Sequence, residues 1–223
     1  MKLTTEQIAE IDETLVLNGL IYDDIKLEVT DHIASEIEAK MDESSISFDD
    51  ALFQVLLNWK EQMKPSSSFL IGRKNAQPKI VIDKWVSIHK QQSLNILKSL
   101  FIISLILILF TRIVTVEKFS KEITIVIRSF YLIFWISIVI CRMIIYKSKK
   151  MTITGLIFKN NSLIYIVALF TLGVGISPIH LFNSNSSFNL WTDLSTILFF
   201  IASFSLLQLA YKHFQFEKKL KIS

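Results

Sequence analysis

The chain has 223 residues, of which 51% are hydrophobic and 20% charged, with a mean hydropathy of +0.45. That balance is above what an ordinary soluble domain carries. The formal net charge of +4 describes neither half: residues 1–64 hold five Lys against fifteen Asp and Glu, net −10, so the remainder carries +14. An acidic head repels phosphate, which argues against direct nucleic-acid binding. The basic half needs no nucleic acid either, because Lys and Arg beside apolar spans are expected of cytoplasmic loops.

Taken in chain order, the N-terminus MKLTTEQIAEIDE reaches acids within six residues and lacks a continuous apolar core, so no cleaved signal peptide is expected. Thr4 or Thr5 caps a first helix, with Gln7 at capping-box distance from Thr4 and Gly19 as its stop. A second helix, Tyr22 to about Met41, carries an apolar stripe of Tyr22, Ile25, Val29, Ile33, Ile37 and Met41. Ser47 opens a third, in which Asp49 and Asp50 suit the positive end and Ala51, Leu52, Val55, Leu56 and Trp59 face inward. Residues 1–64 thus read as an acidic three-helix domain, and a unit of about 60 residues is marginal alone.

Residues 65–92 read as a linker, PSSSFLIGRKNAQP, followed by an amphipathic lead-in in which Ile80, Val81, Trp85 and Ile88 alternate with lysines. That lead-in is expected at the membrane surface. Residues 93–223 then hold four apolar runs. The uncharged stretch Ser99–Thr111 rises only about 20 Å, short of the roughly 30 Å hydrocarbon core, so the first span is expected over 94–116. The others are expected over 123–146, 162–182 and 190–211, with a basic tail beyond. Lys98, Arg112, Arg128 and Arg142 lie near span ends, where long side chains reach the headgroups. With Lys147, Lys149 and Lys150 they form the expected membrane-anchoring set. Lys147, Lys149, Lys150 and Lys159 crowd one loop, whereas 182–193 has no Lys or Arg. The lysine-rich loop and tail therefore face the cytoplasm, and so, by the parity of four spans, does the head.

Chemistry-bearing residues are sparse. Glu28, Asp31, His32 and Glu36 are the one dense group of ligand-type side chains, but one helix face offers at most three ligands, so no metal is assigned and electrostatic or partner contacts are expected. Gly173, Gly175 and Pro178 fit either a kinked span or a broken helix lining a transport path. The lone Cys141, inside an apolar run, reads as a small buried hydrophobe. No HExxH, GxSxG or Gly-rich phosphate loop is present, and no nucleophile and base stand at usable spacing. No enzyme activity and no cofactor are expected.

Tyr22, the run Glu28-Val-Thr-Asp31-His32, the acids Glu36 and Glu38, and Ser47-Phe-Asp-Asp-Ala51 resemble the HAAS-type signalling module of bacterial multi-span membrane proteins. The resemblance covers about 45 residues. It implies a short cytosolic helical domain ahead of several spans, in a family whose genes often accompany PadR-like transcriptional regulators. The combined expectation is an all-α protein with a small cytosolic three-helix domain and a four-helix transmembrane bundle. It would sit multi-pass in the cytoplasmic (inner) membrane of a bacterium, both termini inside. Its partners would be the lipid bilayer and a cytosolic protein bound through Glu28, Asp31, His32, Glu36 and Glu38, with homo-oligomerisation left open. The alternative is a small transporter or export component with a regulatory head.

Overall fold

Local signals start and stop the first helices. In the computed structural model, α1 (Thr5–Leu17) is capped by Thr4, whose hydroxyl accepts from the Gln7 N–H at 3.3 Å, and the Gln7 side chain accepts from the Thr4 N–H at 2.9 Å. This capping box satisfies two of the donors that a helix start leaves open. Gly19, at φ +87°, turns the chain out of α1 in a conformation that favours glycine. α2 (Asp23–Ser44) follows, and α3 (Phe48–Met63) starts at Ser47, whose hydroxyl accepts from the Asp50 N–H at 3.2 Å.

The structure describes residues 2–68, 76–113, 120–177, 179 and 190–222, and no side chains within 107–113, 120, 121, 123, 190–193 or 222. Beyond α3, Pro65–Ser66 (β1) pairs antiparallel with Gln77–Pro78 (β2). Then come α4 (Lys79–Ile113), α5 (Ser120–Lys147), α6 (Ile153–Val174) and α7 (Leu190–Ile222). Among the described residues every element is therefore a helix apart from that short strand pair, as the periodicity predicts.

These elements form two compact units. One comprises Met1–His89 together with Lys149–Ile153, and the other Lys90–Ser148 with Thr154–Ser223. In the first unit the stripe read from the sequence is the core: Ile11, Leu15, Ile25, Val29, Ile33, Ile37, Ala51 and Val55 are all buried. Val81, Ile82 and Trp85 join them, Trp85 with only 3% of its surface exposed. The apolar face of the lead-in thus belongs to the buried core of the first unit, and Lys79, Lys84 and Lys90 are exposed. The physical reason is size. Three short helices cannot enclose enough apolar surface, and the first turns of α4 supply a large aromatic and two branched side chains. His89 stacks on Trp85 at 6.2 Å between ring centroids, and burial pushes its imidazole below the ordinary value.

In the second unit α5 stands against both α6 and α7. Tyr131 donates its hydroxyl to the Thr196 carbonyl at 2.7 Å, and Phe130, Tyr131 and Phe134 crowd the Phe200 ring. A Cβ added at Gly173 would lie 2.7 Å from Leu132 Cδ2, so glycine is what lets α6 approach α5 this closely. Three helices, Thr124–Lys147, Ile153–Val174 and Leu194–Lys221, are long and apolar enough to cross a membrane. α5 leaves Ile125, Val126, Ile133, Ile136, Ile140 and Ile144 uncovered by protein, as a lipid-facing helix requires. The first expected span, 94–116, ends on residues outside those described, as does Pro178. The third expected span, 162–182, is a helix that starts nine residues earlier, at Ile153, and ends at Val174, where Gly175 takes φ +92°.

Replacing Trp85 with Ala is expected to cost the head about 3–5 kcal/mol. Limited proteolysis of the full chain in detergent should then cut within residues 1–89 far faster than in the native protein. A membrane-surface tryptophan would leave that cleavage unchanged.

Candidate functional site

The start of α2 grips a segment more than a hundred residues away in sequence. Its N-cap, Tyr22, makes no side-chain capping bond, and the acids Asp23 and Asp24 fill the first turn. Both turn to Lys149–Ile153, the connection from α5 to α6. The Asp23 N–H donates to the Met151 carbonyl at 2.7 Å, and the Met151 N–H returns a bond to Asp23 Oδ2 at 2.8 Å. Lys150 Nζ lies 3.8 Å from Asp23 Oδ1. The Asp24 carboxylate accepts from the N–H of Ile153, the first residue of α6, at 3.1 and 3.2 Å, and from its own neighbour Ile25 at 3.1 Å.

Asp24 therefore caps α6 from another part of the fold. Its negative charge sits at the N-termini of both α2 and α6, where each helix presents open N–H groups and positive dipole. Around this contact Thr152 and Ile153 are buried. Burial raises the Asp24 carboxyl above its ordinary value, while the bonds from Ile153 and Ile25 and the nearby Lys84 charge pull part of the way back. The folded chain then holds this proton more tightly than the unfolded chain does. The associated stability is present at low pH and falls away as pH rises from the ordinary carboxylate range through the raised value.

The five partner-binding candidates are all on α2 but differ in what they touch. Glu28 pairs with Lys84 of α4 at 3.0 Å, with both side chains about half exposed. Glu36 accepts from Trp59 Nε1 at 3.2 Å, and Glu38 accepts from the Leu3 N–H at 2.9 Å. Asp31 and His32 lie exposed. The charge expected to be offered outward is thus partly engaged within the head, where exposed pairs contribute little each. No group of three or more His, Cys, Asp and Glu is placed to hold a metal among the described residues.

The anchoring candidates divide in the same way. Lys98, Lys147, Lys149 and Lys150 are exposed, and the Arg112 side chain lies outside those described. Arg142 donates to the Lys159 carbonyl at 2.7 Å and to the Ser162 hydroxyl, fastening α5 to α6. The Arg128 guanidinium fills the space over Gly175 that a Cβ there would need. A cation there suits the negative end of α6. The sequence gives no sign of a part-buried polar group between the end of α5 and α7: Ser148 donates to Glu217, whose Oε1 lies 3.6 Å from the Nε2 of buried His213.

No family model, curated protein or solved structure matches the chain.

Replacing Asp24 with Ala is expected to cost about 1–2 kcal/mol by orphaning the Ile153 N–H. Asp24→Asn keeps an oxygen acceptor and removes the titration, so its stability relative to the native chain should rise as pH is raised from about 4 to about 8. Thermal unfolding in detergent across that range checks both variants, and parallel pH profiles for Asp24→Asn and the native chain would contradict the assignment.

Proposed function

We propose that the chain is a non-enzymatic membrane protein whose helical head binds a cytosolic protein and couples it to the membrane-spanning helices. The observation that carries this reading is the grip of Asp23 and Asp24 on Met151 and Ile153, at the residues that open α6. A partner that shifts the start of α2 changes the capping of a membrane-spanning helix, which is a direct physical route for coupling. α4 adds a second route, because a single helix of 35 residues, about 52 Å, begins in the head core and continues into the second unit.

In this reading α4 supplies a fourth span, and the lysines of 147–150 and of the tail keep the head and both termini in the cytoplasm of a bacterium. The acidic surface draws a basic partner, with Asp31 and His32 its exposed centre and Glu28, Glu36 and Glu38 around them. A PadR-like regulator is the partner class that the HAAS-type resemblance suggests. The transporter alternative ranks second. Its glycines are accounted for by packing, since Leu132 fills the space at Gly173 and Arg128 the space at Gly175.

Full-length protein in mild detergent, used to capture partners from cytosol at low salt, tests the reading. A discrete protein should be retained, and the charge reversal Asp31→Lys should weaken its binding about tenfold, since about 1.4 kcal/mol is tenfold. Retention that is indifferent to that reversal and to salt would reject the acidic face as the binding surface.

A further inference from the structure

The outer face of α3 carries an exposed pattern, in which Asp50 accepts from the Ser47 hydroxyl at 2.7 Å and Lys64 lies 3.9 Å from Glu61. Asp50, Phe53, Leu57, Lys60 and Lys64 follow one another at steps of three, four, three and four, the spacing of a heptad seam. The helix turns this seam away from its buried residues Ala51, Leu52 and Val55, and all five side chains are exposed. Phe53 is 66% exposed and Leu57 52%. Beside them a groove of about 680 Å3 runs toward Leu15, Leu56 and Met63. Adjacent large apolar side chains on the solvent side of an acidic, well-capped helix mark a contact surface.

The charges along the seam say what covers it. The acid lies at the start of α3 and the lysines at its end. We propose that this face joins two copies of the chain, with their α3 helices packed antiparallel about a twofold axis at the level of Val55. In that register Phe53 lies on Leu57 of the second copy, and Asp50 faces Lys60 of the second copy. Each of these contacts occurs twice, as an isologous interface requires. A parallel pairing would set Asp50 on Asp50 and Lys60 on Lys60, so charge selects the antiparallel arrangement. The surface is small, in the range of weak contacts. Confinement of copies to one membrane raises their effective concentration and makes such a contact count. The inference rests on α3 alone and stands whether or not a cytosolic protein binds α2.

The test uses the full chain in lipid vesicles, with Cys141→Ser as background. Chains carrying Phe53→Cys, mixed with chains carrying Leu57→Cys, should form disulfide-linked dimers at least several-fold faster than either variant alone. Without added cysteines, dimerisation followed by energy transfer should weaken at least fivefold in Lys60→Asp and in Asp50→Lys, and the double exchange should restore it. Lys60 is remote from the Ser47 cap, so Lys60→Asp reads the interface even where Asp50→Lys disturbs the helix start. The proposal is overturned if no dimer forms, if Phe53→Cys alone cross-links as fast as the mixture, or if dimerisation ignores Lys60→Asp.

Discussion

The structure depends on a carboxylate that caps a helix it does not belong to. Asp24 reaches the first N–H of α6, and Asp23 exchanges two bonds with Met151 beside it. A membrane-spanning helix cannot leave its first N–H groups unpaired where water is scarce, because each such group costs several kcal/mol in hydrocarbon. Here the head supplies part of that satisfaction. The arrangement has a cost of its own, since burial opposes the charge on Asp24, and the hydrogen bonds of Ile153 and Ile25 offset only part of it. The ionised carboxylate is thus held by hydrogen bonds against the opposing effect of burial.

The second unit solves the problem of polar groups in apolar surroundings by different means. Arg142 spends its guanidinium on the Lys159 carbonyl and the Ser162 hydroxyl, and Arg128 lies across Gly175 at the end of α6. Tyr131 bonds the Thr196 carbonyl, and Gln92 of α4 reaches the Ser205 carbonyl and hydroxyl of α7 at 3.2 Å. Each bond joins two helices, so groups that would be costly alone fix which helices are neighbours. Gly173 adds close approach where no polar contact is needed.

The head helices were legible because their signals are local. The Thr4–Gln7 box, Ser47 before two acids, and the Tyr22, Ile25, Val29, Ile33, Ile37 stripe each span only a few turns, and each stands where the spacing predicts. Apolar length alone gave α5. Legibility ended at contacts that join distant segments. Asp23 and Asp24 look in sequence like ordinary first-turn acids, and nothing nearby tells of Ile153. Val81 and Trp85 have the spacing of an interfacial helix, and the same spacing serves a helix that finishes a small core. Arg142 reads as an anchor because a cation near a span end usually is one, and its bond to Ser162 is fixed by tertiary packing. The start of α6 at Ile153 was missed because its cap comes from Asp24.

Hydrogen–deuterium exchange on the full-length chain with both Asp23 and Asp24 replaced by Ala is the most direct test of the clasp. The account predicts that amides of Met151 and Ile153 lose protection by about tenfold or more, while the middle of α7 keeps its native protection. Unchanged protection at 149–153 in that variant would mean that the two aspartates do not hold this segment.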